Sequence, residues 1–300
     1  MIAVVGLGFI GLTTALGFSH YGYKVFGVDS NCSRLELLKN NQIPFHEPSL
    51  KEVLEIQQDK NFFIRDSILE CLDHCEVIFF CVGTPCLESG MVDLSPLKIA
   101  MSEVINSIQP GEKKLLVIRS TIPPTTTMEF LHPHMKKQGS HLGENIKLLV
   151  NPEFLREGLA WEDFTHPDRI VVGEMDPESG SRLEKLYEPF KAPVFRVSCN
   201  TAEFIKYLSN TLLATLVSFS NEQKMLAENI GDIDIPQSFD ILHKDGRWSG
   251  SPAGMANYVF PGCGFGGYCL PKDAEALCKL AQSKGFPLSM LEKTLDVNRK

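Results

Sequence analysis

Short apolar runs alternate with amphipathic stretches through the first part of the chain. Runs of β-branched and other apolar residues are typical of buried strands, and strands that alternate with helices form parallel sheets covered on both faces. The pattern therefore predicts an α/β fold with a Rossmann-type doubly wound parallel sheet. The expected strands are Ile2–Val5, Lys24–Val28, Glu76–Val82, Lys114–Ile118, Lys147–Val150 and Arg169–Gly173.

The pattern changes near residue 198, where a long amphipathic segment begins. It predicts one helix from Thr201 to about Asn229, with Asn200 as its N-cap and Gly231 as its stop. The rest of the chain is expected to be helical. The apolar face of this long helix fits either a homodimer contact or a buried core. Its apolar positions are Phe204, Leu208, Leu212, Leu216 and Phe219.

Two domains are therefore expected, an α/β domain over residues 1–197 and an all-α central domain over residues 198–300. The 300 residues are 43% hydrophobic and 22% charged, as in globular proteins that bury a core. The formal charge of −8 disfavours nucleic acids and anionic membranes as partners. The apolar start at Met1–Val5 leaves no room for a leader, and no apolar run reaches membrane-spanning length, so we expect a cytoplasmic protein.

The nine cysteines are scattered along the chain, which predicts neither a disulfide framework nor a metal site. Only Cys269 has a context that favours chemistry. It follows the glycine-rich bend Gly264–Gly267 and precedes Pro271, a residue suited to the first turn of a helix. Free N–H groups at a helix start favour a thiolate, although a lone cysteine is more often a small buried hydrophobe.

A glycine pattern follows the first strand at once and opens an apolar helix from Leu12 to about His20. In this place the spacing predicts a dinucleotide site with the phosphates at the helix N-terminus. Asp29 ends the second strand, where a carboxylate accepts hydrogen bonds from ribose hydroxyls and repels a 2′-phosphate, which selects NAD over NADP. A helix cap or turn residue is the other interpretation of Asp29. The expected cofactor contacts here are Gly6, Gly8, Phe9, Ile10, Gly11 and Asp29.

Two threonines follow the next strands and are further candidates for the same crevice. Thr84 lies in Val82–Pro85 and Thr121 in Ser120–Pro123, each at the carboxyl end of a predicted strand. Ligands bind at these ends in open sheets, so both threonines are candidates for contacts with the cofactor or with a reacting water. A plain turn role before proline is the alternative.

Glu153 also follows a strand end and is a candidate acid or base. On the long helix, Lys206 and Asn210 are four residues apart and share a face, with Glu203 three residues before Lys206. An ammonium and an amide therefore converge on one point. The alternative is a solvated helix face with an ordinary Glu203–Lys206 pair.

Together these segments resemble the UDP-glucose/GDP-mannose dehydrogenase family, and the resemblance runs over the whole chain. Six motifs in the right order are far more specific than any one of them. The matching segments are Gly6–Gly11, Val82–Pro85, Ser120–Pro123, Asn151–Gly158 with His166–Arg169, Glu203–Asn210 and Gly264–Asp273.

The resemblance implies a four-electron oxidation in which the C6 alcohol of a nucleotide sugar becomes a carboxylate and two NAD are reduced. It makes Cys269 the nucleophile that captures the aldehyde as a thiohemiacetal and then carries a thioester.

The resemblance assigns roles to five further residues. Lys206 and Asn210 form an oxyanion site, Asp273 and Thr121 hold water, and Glu153 assists proton transfer during hydrolysis.

The form of the segment Pro152–Gly158 is more similar to enzymes that act on UDP-glucose, which favours UDP-glucuronate as product. Arg247 is similar in place to an arginine that reaches the partner's sugar across a dimer. The substrate contacts implied are Glu153, Phe154, Leu155, Lys206, Asn210, Arg247, Phe265 and Gly266.

Family members carry a third, C-terminal domain that binds the nucleotide, and the 300 residues end before it would begin. An NAD-binding, dimerising module without turnover of its own is therefore the alternative to the enzyme. A dehydrogenase of small hydroxy acids is a third hypothesis, under which Cys269 would be dispensable.

Overall fold

A computed structural model describes residues 1–89, 91–139, 145–250, 253–255, 264–266 and 269–299. The side chains at positions 269, 272, 273 and 276 lie outside this description. The strands are β1 Ile2–Val5, β2 Val25–Val28, β3 Phe62–Arg65, β4 Val77–Phe80, β5 Lys114–Ile118, β6 Ile146–Val150, β7 Ile170–Glu174 and β8 Val194–Ser198. The helices are α1 Phe9–His20, α2 Cys32–Lys39, α3 Leu50–Gln57, α4 Ser95–Ser107, α5 His132–Gln138, α6 Ala160–Thr165, α7 Pro177–Leu186, α8 Cys199–Ile230, α9 Ile235–Leu242, α10 Cys269–Ser283 and α11 Ser289–Asn298.

The strands form one sheet in the order β3-β2-β1-β4-β5-β6-β7-β8. The strand order reverses between β1 and β4, which makes their carboxyl ends the switch point where ligands bind in such sheets. The predicted doubly wound α/β fold is confirmed, with predicted strand ends within two residues of the observed ones. Two strands, β3 and β8, were not predicted.

One strand pairing departs from the expected parallel arrangement. Strand β7 pairs antiparallel with β6, through Val150 and Gly173, whereas β8 runs parallel to β7. An antiparallel pair needs no crossover, so the connection Asn151–Arg169 starts and ends at the carboxyl edge of β6. This connection therefore adds residues to the edge that carries the switch point.

Both faces of the sheet are covered by helices, and neighbouring strand residues alternate between the two cores. Phe79 of β4 packs in the cluster that includes α1 and α6, whereas Phe80 packs in the cluster that includes α4. Gly17 lets α1 approach α6, because a Cβ at this position would lie 2.0 Å from the Phe164 ring. Burial on both faces explains why β4 is apolar throughout and β5 is apolar from Leu115 to Ile118.

The chain divides into two compact units, Met1–Ser209 and Asn210–Lys300, with the division inside α8. The N-terminus of α8 corrects one prediction. Asn200 lies within the helix, because the Ser198 hydroxyl accepts a hydrogen bond from the Thr201 N–H at 3.2 Å and caps it instead. At the other end Gly231, with φ of 81°, donates its N–H to the Ala227 carbonyl and ends the helix as predicted.

The second unit contains α8 from Asn210 onward and helices α9, α10 and α11. Its described core is small, with Leu226, Cys278 and Leu295 among the buried residues. Glu222 of α8 accepts the N–H of Met290 at 2.9 Å and so ties α8 to the start of α11. No described helix is long and apolar enough to cross a membrane.

Candidate active site

A crevice of about 830 Å³ opens at the carboxyl ends of β1, β2, β4 and β5 in the first unit. Its position at the switch point follows from the sheet order. Predicted cofactor residues that line this crevice are Gly6, Gly8, Phe9, Ile10, Asp29, Thr84 and Thr121. The crevice also receives side chains that the sequence did not single out, Arg34 and Arg119 among them.

The three fingerprint glycines have different local reasons. Gly6 has φ of 92°, and a Cβ there would lie 2.8 Å from the Cys81 carbonyl oxygen. A Cβ on Gly11 would lie 1.7 Å from the Gly6 carbonyl oxygen, so α1 packs directly on the turn. Gly8 precedes α1 and has open space where a Cβ would point, which leaves room for a phosphate at the helix N-terminus. These residues fit a dinucleotide.

Asp29 is buried and holds the turn as well as facing the crevice. Its Oδ2 accepts the Leu7 N–H at 2.6 Å, and its Oδ1 accepts the Asn31 N–H at 2.8 Å. Arg34 donates from Nη1 to Oδ2 at 2.7 Å. The Asn31 side chain caps α2 and so places Arg34 in the first helical turn beside Asp29. The capping asparagine was the available sequence signal for Arg34.

The two threonines predicted for the crevice contact each other. Thr84 donates its hydroxyl to the Thr121 carbonyl oxygen at 2.8 Å. Next to them, the Ser120 hydroxyl donates to the Val82 carbonyl at 2.6 Å. The loops after β4 and β5 are thereby joined, and both threonines lie on the crevice wall.

Glu153 and Lys206 form a buried ion pair. Lys206 Nζ lies 2.7 Å from Glu153 Oε1, and each side chain is less than a tenth exposed. Glu153 Oε2 also accepts the Leu155 N–H at 2.6 Å. Since β6 neighbours β5 in the sheet, Glu153 lies along the same edge as the crevice. A paired ammonium and carboxylate at this place can exchange protons with a reacting alcohol.

The Phe154 ring is near two cations, Arg169 at the end of the same loop and Lys206 of α8. The guanidinium of Arg169 is 4.1 Å from the centre of its ring, and Lys206 Nζ is 5.7 Å from it. Cations over an aromatic face are attracted by the ring quadrupole. Phe154 therefore helps to orient Lys206 beside Glu153.

The alternative Glu203–Lys206 pair is not what the structure shows, since Lys206 pairs with Glu153. The buried Glu203 accepts the Thr127 N–H at 2.8 Å, and its other oxygen has no hydrogen-bond partner among the described residues. Burial raises the pKa of Glu203. Asn210 lies one helical turn after Lys206, is exposed, and belongs to the second unit.

The remaining predicted residues belong to the second unit. Arg247 is exposed and pairs with Asp245, and this contact lowers the pKa of Asp245 to about 2. Phe265 is held through its backbone, which donates to Asn298 at 2.7 Å and accepts from it at 2.8 Å. Gly266 is exposed and has open space at its Cβ position.

The nucleophile predicted from the sequence begins a helix. Cys269 is the first residue of α10, and Asp273 lies one turn later. Both side chains lie outside the described residues, so the roles of Cys269 and Asp273 stay predictions.

Other cysteines have surroundings that oppose reactivity. Cys81 and Cys199 are buried, and burial raises the pKa of each thiol to about 12. These thiols stay protonated at neutral pH. Among the described residues no group of three metal-binding side chains forms a metal site.

Glu47 is a further residue that the sequence did not single out. Its buried carboxylate accepts the N–H of Gly158 at 2.8 Å and that of Ala160 at 2.7 Å. Two residues earlier, the Phe45 ring contacts the Phe9 ring of α1 edge to face, 5.4 Å between centres. The connection between α2 and α3, which contains Phe45 and Glu47, thus contacts both the start of α1 at the cofactor turn and the loop that carries Glu153.

Comparison with known proteins agrees with this geometry. Residues 1–191 match the model of the UDP-glucose/GDP-mannose dehydrogenase family, NAD binding domain, and residues 200–300 match that of the same family's central domain. The chain belongs to the UDP-glucose/GDP-mannose dehydrogenase family. The family resemblance, the fold and the NAD cofactor predicted from the sequence are confirmed.

Relatives in this family act on more than one nucleotide sugar. The chain is 33% identical to the UDP-glucose 6-dehydrogenase TuaD of Bacillus subtilis, over 100% of the chain and 63% of that protein. It is also 33% identical to a GDP-mannose 6-dehydrogenase of Pseudomonas aeruginosa, over 92% of the chain and 63% of that protein. The chain thus spans less than two thirds of the length of these relatives.

Solved structures of the family superimpose on the chain. GDP-mannose dehydrogenase from Pseudomonas aeruginosa, solved as a ternary complex, has a TM-score of 0.91 at 31% identity and covers 99% of this chain and 68% of its own. A UDP-glucose dehydrogenase from Pyrobaculum islandicum has a TM-score of 0.77 at 34% identity, with 99% and 67% covered.

Proposed function

We propose that this member of the UDP-glucose/GDP-mannose dehydrogenase family oxidises the C6 alcohol of a nucleotide sugar to a carboxylate with NAD. The observation that carries the proposal is the buried Lys206–Glu153 pair, 2.7 Å apart, on the same sheet edge as the dinucleotide crevice. A charged pair is costly to bury, and an acid–base function beside a hydride acceptor gives this one a chemical use.

The crevice residues hold the cofactor. Gly6 and Gly8 let the pyrophosphate approach the start of α1, Gly11 keeps α1 close to the turn, and Asp29 receives the ribose hydroxyls. Thr84 and Thr121 line the wall nearest to the reacting end. NAD, when bound, supplies a hydride acceptor for each of two successive oxidations.

The residues at the reacting end manage protons and carbonyl chemistry. Lys206 and Asn210 stabilise negative charge on the C6 oxygen as the alcohol loses its proton to water and its first hydride to the bound acceptor, which leaves an aldehyde. The Cys269 thiolate adds to the aldehyde carbon and forms a thiohemiacetal, which becomes a thioester when the second hydride leaves. Water, held by Thr121 and Asp273, adds to the thioester, Glu153 takes a proton from it, and the C–S bond breaks to release the carboxylate and restore the thiol.

UDP-glucose is the proposed substrate, with UDP-glucuronate as product. The sequence of the Pro152–Gly158 loop and the 33% identity to a UDP-glucose 6-dehydrogenase support it. GDP-mannose is the second candidate, favoured by the TM-score of 0.91 with a GDP-mannose dehydrogenase. Phe154, Leu155, Arg247, Phe265 and Gly266 are the proposed sugar and nucleotide contacts, with Glu153, Lys206 and Asn210 at the reacting carbon.

NADH production against a panel of UDP and GDP sugars tests this proposal. We expect two NADH per sugar oxidised, a carboxylate product, and no turnover in Cys269→Ala. One NADH per sugar, or full activity of Cys269→Ala, would refute the thioester route and favour a simple hydroxy-acid type of dehydrogenase.

The alternative is an NAD-binding, dimerising module that does not turn over by itself. This alternative concerns the 300 residues by themselves, which match 63% of the length of TuaD. Under this alternative, calorimetry on the 300-residue chain would detect NAD binding but no UDP-glucose binding. Measurable affinity for UDP-glucose would exclude it.

We propose a homodimer through α8 for both the enzyme and the NAD-binding module. The second-unit part of α8 exposes large apolar side chains that a partner would cover, with Leu213 59% and Val217 62% exposed. Sedimentation velocity over a range of concentrations should show a dimer, and Val217→Asp should give a monomer. A wild-type monomer at all concentrations would refute the dimer.

A further inference from the structure

Arg119 is a buried cation that lines the cofactor crevice. It directly follows β5, and its residue surface is only 6% exposed. Among the described residues no carboxylate lies within ion-pair distance of its guanidinium. A buried charge without a counter-charge is unfavourable, so an unpaired arginine at a ligand crevice calls for an explanation.

The hydrogen-bond partners of Arg119 are all uncharged. Its Nε donates to the Thr14 hydroxyl at 2.9 Å, and its Nη1 donates to the Asn151 side chain at 2.5 Å and to the Tyr187 hydroxyl at 3.4 Å. Burial raises the pKa of Tyr187, so this phenol stays protonated at neutral pH. The nearby Cys81 thiol, with a pKa raised to about 12, is also neutral. The positive charge of Arg119 is therefore not cancelled by its hydrogen-bond partners.

Two of the three carboxylates on the crevice wall are paired. Asp29 pairs with Arg34 at 2.7 Å, and Asp66 pairs with Lys39 at 2.7 Å. Glu103, the third, is exposed, so among the described residues of this wall Arg119 is the buried charge without an ion pair. Its Nη2 makes no hydrogen bond to a described residue, so this nitrogen has donors left for a ligand.

We propose that Arg119 is a charge anchor for the cofactor, which supplies the positive charge that a bound anionic dinucleotide compensates. The Thr14 and Asn151 bonds fix the guanidinium between α1 and the end of β6, in the lining of the crevice that also contains Gly6 and Gly8. Arg119 thereby favours ligands in proportion to their negative charge, and it favours NADH, with two net negative charges, over NAD⁺, with one. The inference rests on the dinucleotide crevice and not on the choice of sugar.

Binding of ligands that differ in charge tests the anchor. We would measure dissociation constants of adenosine, NAD⁺ and NADH for the wild-type chain and for Arg119→Gln by calorimetry or fluorescence. We expect Arg119→Gln to lose less than about twofold in affinity for neutral adenosine, about tenfold for NAD⁺ and more for NADH. A tenfold loss corresponds to one charge interaction of modest strength at a partly buried site. The difference in affinity between the wild type and Arg119→Gln should shrink at high salt, because salt screens the charge of Arg119.

Arg119→Lys keeps the charge and removes the planar fork, so it should retain most of the difference between NADH and adenosine. Arg196→Gln is the control, because Arg196 lies on the edge strand β8, pairs with Glu174 of β7 and does not line the crevice, so this change should leave all three constants unchanged. Equal losses for the three ligands in Arg119→Gln would mean a packing role and overturn the proposal. Unchanged NADH affinity, or Arg119→Lys behaving as Arg119→Gln, would overturn it as well. A wild-type chain that binds none of the ligands would instead refute the cofactor crevice.

Discussion

The two units of the chain bury their side chains to very different degrees. In the first unit, strands β4 and β5 are buried throughout, and α1 buries nine consecutive residues from Gly11 to Ser19. In the second unit, α9 has no buried residue, and α8 exposes most of its apolar side chains from Leu213 to Phe219. Both units expose some large apolar side chains, as at Ile99 with 69% and Val217 with 62%, but only the first has buried strands and an extensive buried core among its described residues.

The polar interactions differ in the same way. The first unit buries charged groups with distant partners, as in Lys206–Glu153 and in Glu47 with the loop before α6. The second unit's described ion pairs, such as Lys224–Glu228, are exposed, although its buried Glu222 also has a distant backbone partner in Met290. Buried pairs fix geometry strongly because breaking them leaves an unpaired charge, whereas exposed pairs contribute little. The cofactor end is thus held rigidly by its own contacts.

Removing the buried pair should have the largest effect. Lys206→Ala leaves the Glu153 carboxylate buried without a partner, which should lower the free energy of unfolding by about 3–5 kcal/mol. It should also reduce the proposed dehydrogenase turnover by about 10²–10³-fold. Urea unfolding and NADH production measure the two effects.

The exposed pair is the matched control for this change. Lys224→Ala should alter stability by less than about 0.5 kcal/mol, because Lys224 and Glu228 are each 53% exposed. The double variant Lys206→Met/Glu153→Gln should recover stability without recovering turnover. Equal destabilisation by Lys206→Ala and Lys224→Ala would contradict the contrast between the two units.

Truncation of one leucine in each unit tests the difference in packing. Leu16→Ala, at a fully buried position of α1, should cost about 2–5 kcal/mol. Leu213→Ala, at a position 59% exposed, should cost less than about 0.5 kcal/mol at protein concentrations where the chain is monomeric. Thermal unfolding at low and high concentration separates the cases, and a cost for Leu213→Ala that appears only at high concentration would indicate coverage by a second copy.

The sequence predicted best where burial is continuous. Strands β1 and β4 are apolar throughout and β5 is apolar from Leu115 to Ile118, because both of their faces are covered, and all three were predicted. Strand β3, with the sequence Phe-Phe-Ile-Arg, lies at an edge with alternating burial and was missed. The direction of β7 was also missed, because the path of a connection decides whether the next strand is parallel.

Long-range polar contacts were the other limit of sequence reasoning. Helical spacing favoured Glu203 as a partner of Lys206, but residue 153, far away in the chain, takes that place. Arg119 and Glu47 each contact groups about 32 or more residues away, and nothing in their neighbourhood marks them. Motifs predicted which loops meet at the crevice, whereas the partner of each charge depends on the packed structure.

Removing the brace between the two loops should have an intermediate effect. Glu47→Ala leaves the N–H groups of Gly158 and Ala160 without their buried acceptor, which should cost about 1–3 kcal/mol of stability. Glu47→Gln keeps one acceptor oxygen and should lose about half as much. Glu70→Ala is the control, because Glu70 makes its backbone bond from an exposed turn. Equal melting temperatures for Glu47→Ala and Glu70→Ala would show that the brace contributes no stability.

The smallest expected effect is a pH-dependent gain in stability when glutamine replaces Glu203. Burial raises the pKa of Glu203 in the folded chain, so folding favours the protonated acid. When the pH rises above about 4.5, the unfolded chain loses this proton more readily than the folded chain, and stability is lost. Glu203→Gln keeps an oxygen for the Thr127 N–H but cannot ionise, so it should be more stable than the wild type by about 1 kcal/mol near pH 8 and not near pH 4. Melting temperatures of the two proteins across this range measure the difference. A gain in stability that is independent of pH would show that Glu203 acts through packing. A loss of stability at pH 8 would show that a neighbouring group compensates the charge of Glu203 in the folded chain.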